Sequence, residues 1–251
     1  MLPQKKIFFL SDFHLGAPNA ADSLVREKLL IRFLTEVELQ AEAIFIVGDL
    51  FDFWYEYKTV VPKGYVRILG KLAQLTDAGV AIHFFVGNHD MWMNNYFSTE
   101  LNIPVYFEPK IFSFHNKTFY IGHGDGLGPA DKGYKILKKI FRHPISNTLF
   151  GWLPPTVGIG LANFCSRKSR ASTGTHNEVF LGNDKEWLVQ YCQQILQQHS
   201  YDYFIFGHRH LPLHIQLNEQ STYVNLGDWI KYFSYAEFDG EALQLKYYKP
   251  Q

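Results

Sequence analysis

The chain has 251 residues, 47% of them hydrophobic and 19% charged, which is enough for a full core and too apolar for intrinsic disorder. No apolar run approaches the roughly 20 residues needed to span a bilayer, and the opening stretch Met1–Asp12 turns polar and acidic too soon for a secretory signal. Its formal net charge of zero argues against broad nucleic-acid binding, and two cysteines, Cys165 and Cys192, form neither a metal-ligand spacing nor a disulfide framework, so a reducing, cytoplasmic setting is expected.

In chain order, Lys6–Leu10 reads as a short buried strand, followed by a helical pattern over Ser23–Glu38, a strand over Ala43–Val47, a helix over Gly64–Ala78 and a strand over Ala81–Val86. This alternation implies βαβ units and a parallel sheet. Ile111–Phe114 and Thr118–Ile121 are expected strands joined by a turn at His115-Asn116-Lys117. Asp184–Gln198 is an expected helix capped by Asn183 or Asp184, and Tyr203–Phe206 is another buried strand. From Leu213 to Tyr248 short strands alternate with turns such as Asp239-Gly240.

One piece interrupts the rhythm. Residues 126–182 carry their own apolar series, and this stretch is expected to be a helical insertion between two parts of one core, 1–125 and 183–251. Lys132–Arg142 reads as an amphipathic helix, with Ile136, Leu137, Ile140 and Phe141 on one side and Lys135, Lys138, Lys139 and Arg142 on the other; Val157–Cys165 reads as a second, more apolar helix. Between Gly124 and Arg170 eight Lys and Arg face only Asp125 and Asp131, a basic block that suggests an anionic substrate or surface.

The endings of the strands carry the chemistry. Ser11-Asp12-Phe13-His14, Gly48-Asp49-Leu50-Phe51-Asp52, Gly87-Asn88-His89-Asp90, Gly122-His123-Gly124-Asp125 and Gly207-His208-Arg209-His210 each follow an apolar run. In an α/β sheet the carboxyl ends of strands form the ligand crevice, so these side chains are expected to converge. Asp12, His14, Asp49, Asn88, His123, His208 and His210 form a mixed nitrogen and oxygen set that suits Mn²⁺, Fe²⁺ or Zn²⁺. Seven ligands exceed what one ion takes and suit two if Asp49 bridges. A lone Asp-x-His is ordinarily a surface turn; five such endings in order are not.

These motifs match the signature of the calcineurin-like metallophosphoesterases, which the chain resembles from residue 12 to residue 210. The resemblance implies a four-layer α/β/β/α sandwich and a pair of divalent ions, Mn²⁺ first among the candidates. One ion would be held by Asp12, His14, Asp49 and His210, the other by Asp49, Asn88, His123 and His208. A narrower similarity covers almost the whole chain. GDLFDFW, HGDGLGPADKGYKILKKIFRHP and the stretch ending in Ser-Arg-Lys-Ser-Arg resemble the UDP-2,3-diacylglucosamine diphosphatases of lipid A synthesis. This similarity implies release of UMP from a lipid-linked nucleotide sugar. It also implies sugar and diphosphate contacts from Asp131, Tyr134, Asn163, Arg167 and Arg170, and peripheral contact with the inner membrane. The best-known branch of that family has Arg where this chain has His89. Two other classes stay open here, a phosphoesterase of other substrates and a non-catalytic adaptor; no obligate protein partner is evident.

His89 is expected to stabilise developing charge or to protonate the departing oxygen. Asp52 is expected to orient His89 or a ligand, and Asp125 to serve as an outer acceptor or a turn residue. Phe53-Trp54-Tyr55 with Trp92 and Tyr96 line a base or acyl pocket, or else pack the core. Arg167, Lys168 and Arg170 clamp a diphosphate, or else edge the insertion in solvent.

Overall fold

The computed structural model describes residues 5–128, 132–173 and 179–249, leaving aside the side chains of residues 132, 163 and 167–173. Strand β1 (Lys6–Leu10), helix α1 (Ala20–Val37), β2 (Ala41–Val47), α2 (Val66–Asp77) and β3 (Ala81–Phe85) follow the expected alternation, and β1, β2 and β3 pair in parallel. A short helix α3 (Tyr96–Glu100) leads to β4 (Val105–Tyr106), parallel to β3 at one edge. The opposite edge comes from the end of the chain, where β10 (Ser234–Phe238) runs antiparallel to β1 and β11 (Leu243–Tyr247) antiparallel to β10. The sheet is therefore mixed rather than purely parallel, in the order β11-β10-β1-β2-β3-β4.

A second sheet has the order β5-β6-β7-β9-β8, built from β5 (Lys110–Phe114), β6 (Lys117–Ile121), β7 (Tyr203–Phe206), β8 (Pro212–Gln216) and β9 (Thr222–Leu226). Its three central strands are parallel and both edges antiparallel. Between β6 and β7 lie α4 (Lys132–Arg142), α5 (Pro144–Gly151), α6 (Pro155–Thr173), a 3₁₀ turn (Asn183–Lys185) and α7 (Trp187–Leu196).

Strand alternation divides the core into three cores between four layers. Phe8, Leu10, Ile44 and Ile46 pack outward against Phe33, Leu34 and Leu72 of α1 and α2. Their neighbours Ile7, Phe9, Phe45 and Val47 point inward and meet Phe119, Ile121, Ile205 and Val224 of the second sheet. On its far side Phe204, Phe206 and Tyr223 cover Leu188, Val189 and Cys192 of α7. The result is a helix–sheet–sheet–helix sandwich.

Local departures from the expected elements have local causes. The β5–β6 turn is His115-Asn116, both with left-handed φ (48° and 62°), a two-residue hairpin that leaves Lys117 in the strand. Asn183 and Asp184 do not cap α7. They form the 3₁₀ turn, and Glu186 occupies the N-terminal boundary without a side-chain cap bond. The second apolar helix is longer than Val157–Cys165, because Pro155 sits where its missing N–H costs nothing. Pro144 likewise opens α5, which has no forecast, with His143 Nδ1 accepting from Ile145 N–H at 3.3 Å.

Phe45 lies where the two sheets meet, stacked on Phe9 (centroids 5.0 Å) and His83 (4.5 Å) with the edge of Phe112 at 4.9 Å. Phe45→Ala is expected to cost about 3–5 kcal/mol in chemical denaturation, whereas Leu39→Ala, at a residue 88% exposed, should stay within about 0.5 kcal/mol.

Candidate metal centre

The ends of β1, β2 and β3 in one sheet and of β6 and β7 in the other converge on one point. Three overlapping sets of potential ligand atoms lie within 4.8 Å of one another: Asp12, His14 and His210; His14, Asp49 and His89; Asp49, His123 and His208. Asn88 joins them, with its Oδ1 3.2 Å from His123 Nε2. All seven residues expected as ligands are therefore together, and Asp49 lies between the two halves, its Oδ2 3.7 Å from His14 Nε2 and 3.4 Å from His123 Nε2.

The backbone turns sharply to achieve this. Asp12, His14, Asp49, His208 and His210 all have left-handed φ, between 45° and 65°. Asp and His tolerate that region better than most residues, yet it stores strain, here gathered at one place. The adjoining glycines leave room for close approach. A Cβ on Gly87 would strike the Asp49 carboxylate and stand 2.6 Å from its backbone nitrogen, and one on Gly207 would strike Ser11 Oγ.

Each carboxylate has one oxygen fixed by a backbone amide and the other turned inward. His208 N–H donates to Asp12 Oδ2 (2.9 Å) and His89 N–H to Asp49 Oδ1 (2.8 Å). The inward atoms then face lone pairs. Asp12 Oδ1 is buried without a directed hydrogen bond, 3.2 Å from His210 Nε2. His14 Nε2 and His210 Nε2 stand 3.1 Å apart. His123 Nδ1 is 2.8 Å from the Val47 carbonyl, and donating there turns the Nε2 lone pair toward Asp49 and Asn88. Converging lone pairs repel unless positive charge lies among them, so the donor set fits divalent cations. Without a cation, the imidazoles next to the carboxylates take up that positive charge themselves. Burial works against a charge on His123 and His210, yet Asp49 beside the first and Asp12 beside the second hold both up to about 10. Burial, with His123 nearby, pushes His208 down to about 4.

An outer layer of carboxylates lies behind the imidazoles, where ligating histidines are ordinarily oriented. Asp52 Oδ1 is 3.4 Å from His14 Nδ1 and 3.7 Å from His89 Nδ1, and the His89 ring meets His14 edge-on at 4.6 Å. Asp228 Oδ2 is 3.6 Å from His210 Nδ1, while its Oδ1 accepts from the backbone N–H of Ile230, Lys231 and Tyr232. Arg209, between two ligands, points away from the centre and forms a buried paired contact with Glu186, both distances 3.0 Å. Such a pair, once one partner is removed, leaves an uncompensated buried charge. Neither Arg209–Glu186 nor the Asp228–His210 contact has a local signal in the sequence, because each joins distant elements.

The basic side of α4 is spent on the core. Lys138 pairs with Asp125 at 2.8 Å, Arg142 with Glu108 at 2.8 Å, and Lys135 donates to the Gly128 carbonyl. Asp125 thus anchors α4, accepting also from Tyr134 Oη–H at 2.8 Å, with the Tyr134 ring 6.4 Å from His208. Ile136, Leu137 and Ile140 on the other side of α4 are 45–61% exposed. The described contacts of the aromatic run are packing and anchoring ones. Trp54 is fully buried on Phe51. Tyr55 and Trp92 bind the stretch between β6 and β7, donating to the carbonyls of Asn147 and Phe141, each at 2.7 Å, with Phe150 against both rings. Asp131 lies outside the described residues, as do the side chains of Asn163, Arg167, Lys168 and Arg170.

The profile of the calcineurin-like phosphoesterases matches residues 5–212 of the chain. The chain belongs to that family. Among curated relatives, the UDP-2,3-diacylglucosamine hydrolase of Porphyromonas gingivalis (strain ATCC BAA-308 / W83) is 37% identical, the alignment covering 97% of each chain. The proteins of the same name from Histophilus somni (strain 129Pt) and Edwardsiella ictaluri (strain 93-146) are 29% and 25% identical, over 96% and 94% of this chain and 99% and 90% of theirs. As a calcineurin-like phosphoesterase, the protein is a metal-dependent hydrolase.

Because Gly87 abuts the Asp49 carboxylate, Gly87→Ala is expected to lower Mn²⁺ affinity at least tenfold in calorimetric titration. Gly160→Ala, in a helix with nothing within 4 Å of the added Cβ, should bind as the parent does.

Proposed function

We propose that this phosphoesterase cleaves the diphosphate of UDP-2,3-diacylglucosamine, giving UMP and 2,3-diacylglucosamine 1-phosphate, in lipid A synthesis. The observation that carries the reading is the convergence of His and Asp groups able to hold metal in a chain aligned nearly end to end with a relative of that name. On this reading the ligands divide as Asp12, His14, Asp49 and His210 for one ion and Asp49, Asn88, His123 and His208 for the other, with Mn²⁺ the preferred metal. Divalent ions bound there supply positive charge to phosphoryl oxygens and lower the pKa of water.

The chain's own residues then have defined tasks. Asp49, shared by both halves, fixes their spacing. Asn88 and the imidazoles keep neutral donors toward the centre. His89, beside Asn88, offers its ring to the phosphoryl group as charge develops, or gives a proton to the departing oxygen. Asp52 keeps that ring in place. Tyr134 and Asp131 border the sugar and diphosphate, with Asn163, Arg167 and Arg170 contributing from α6.

The 126–182 stretch acts as a lid on this reading. What supports it is the outward apolar surface, continued by Ile145, Leu149, Trp152, Leu161 and Phe164, each more than half exposed. Acyl chains resting there gain about 0.8 kcal/mol per buried methylene. The same surface suits peripheral contact with the cytoplasmic face of the inner membrane. None of the described helices is long and apolar enough to cross a bilayer.

Purified protein loaded with Mn²⁺ should release UMP from UDP-2,3-diacylglucosamine, followed by chromatography, and bind about two equivalents of metal. Asp49→Ala should abolish UMP release and weaken both equivalents together. Activity on small diesters with none on the nucleotide lipid would overturn the substrate assignment. A stoichiometry of one with full activity would overturn the paired centre. In His89→Ala, kcat should fall roughly 10²–10⁴-fold with metal content unchanged; an unchanged kcat where chemistry limits turnover would remove His89 from the reaction.

A further inference from the structure

Among the described side chains of α4, α5 and α6, which are largely exposed, Ser166 is the buried one, at 8%. The face of α6 that meets the core reads Gly158, Ala162, Ser166, at intervals of four, so small residues occupy one stripe. At the Gly158 end, an added Cβ would stand 2.7 Å from Tyr57 Oη. At the other end, Ser166 Oγ–H donates to Asp52 Oδ2 at 2.9 Å. Helix α6 therefore lies along the loop that follows β2 and ends in contact with the outer layer of the metal centre.

The contact reaches His89. Its Nδ1 is 3.0 Å from the Asp52 carbonyl oxygen and 3.3 Å from Ser166 Oγ. With the Ser166 proton directed to a carboxylate, its oxygen meets the ring as an acceptor, and Nδ1–H is flanked by two acceptors. A ring held by Nδ1–H presents Nε2 to the centre, where His89 groups with His14 and Asp49. The hydroxyl thus fixes the imidazole directly and also through Asp52.

We propose that Ser166 is a positioning residue that makes the orientation of His89 depend on the attachment of α6. The inference rests on the reading that His89 serves phosphoryl transfer, and it extends that reading by linking the segment that meets substrate to the ring that meets phosphorus. Covering the centre and aligning His89 are then one event. Losing the hydroxyl leaves the ring a wider range of angles, which lowers turnover without removing a binding contact.

The test uses full-length protein with Mn²⁺ and two substrates, UDP-2,3-diacylglucosamine and bis(p-nitrophenyl) phosphate. Ser166→Ala should lower kcat about tenfold on both, with KM within twofold and metal content unchanged. Ser166→Thr, which keeps the hydroxyl, should recover to within about threefold of wild type. In a His89→Ala background, Ser166→Ala should have no further effect, since the two act as one unit. In metal-free protein, Ser166→Ala should shift the ¹⁵N resonances of the His89 ring while those of His83 stay in place, a readout that needs no activity. A raised KM with unchanged kcat, a Thr variant no better than Ala, additive losses in the His89→Ala background, or unmoved His89 resonances would each overturn the proposal. Wild-type protein active on the diester alone would instead overturn the substrate assignment, leaving the Ser166 comparison to be read on the diester.

Discussion

Two buried carboxylates, Asp12 and Asp49, are taken almost wholly out of water and set among imidazoles. Burying such charge is expensive unless it is paired and hydrogen-bonded. Much of the surrounding structure answers that requirement. One oxygen of each carboxylate rests on a backbone amide, that of His208 or of His89, and the nearby glycines Gly207 and Gly87 allow the chains to close within contact distance. Cations are the remaining part of the balance, and the inward lone pairs are arranged for them.

The centre also straddles a boundary. Asp12, His14, Asp49 and Asn88 follow strands of one sheet, while His123, His208 and His210 follow strands of the other. Ligand spacing is consequently set by how the inner faces of the sheets pack, where Phe9, Phe45 and Phe119 stack at 5.0–5.8 Å. A close-packed aromatic core resists compression and shear, so the spacing tolerates little variation. The site depends on that core more than on any single loop.

Much of this was legible in the sequence. Strands of four to seven residues followed by Gly-Asp, Gly-Asn-His or Gly-His carry both the apolar signal of a buried strand and the chemistry of its end. The convergence of the seven candidate residues could therefore be expected from their order. What escaped had physical reasons. Helix α3 and strand β4 are too short for periodicity to register, and α5 opens on a proline that also suits a loop. Polarity along α4 showed an amphipathic helix but not which side faces the core, because Asp125, in the turn after β6, and Glu108, between β4 and β5, recruit its cations. Trp54, Tyr55 and Trp92 share a composition that fits a pocket, a core or a joint equally well. Only their partners distinguish these, and Arg209, Asp228 and Ser166 belong to the same class of long-range contact.

Strands β6 and β7 are hydrogen-bonded neighbours, yet the three helices α4–α6 and α7 separate them in the chain. During synthesis the ligands on the first sheet, and His123, emerge long before His208 and His210, and the edge strands β10 and β11 that flank β1 come later still. Non-local pairings of this kind form only after a long closure of the chain. An incomplete chain therefore holds Asp12 and Asp49 without their full complement of imidazoles. The charged centre is completed only once strands far apart in the chain have paired.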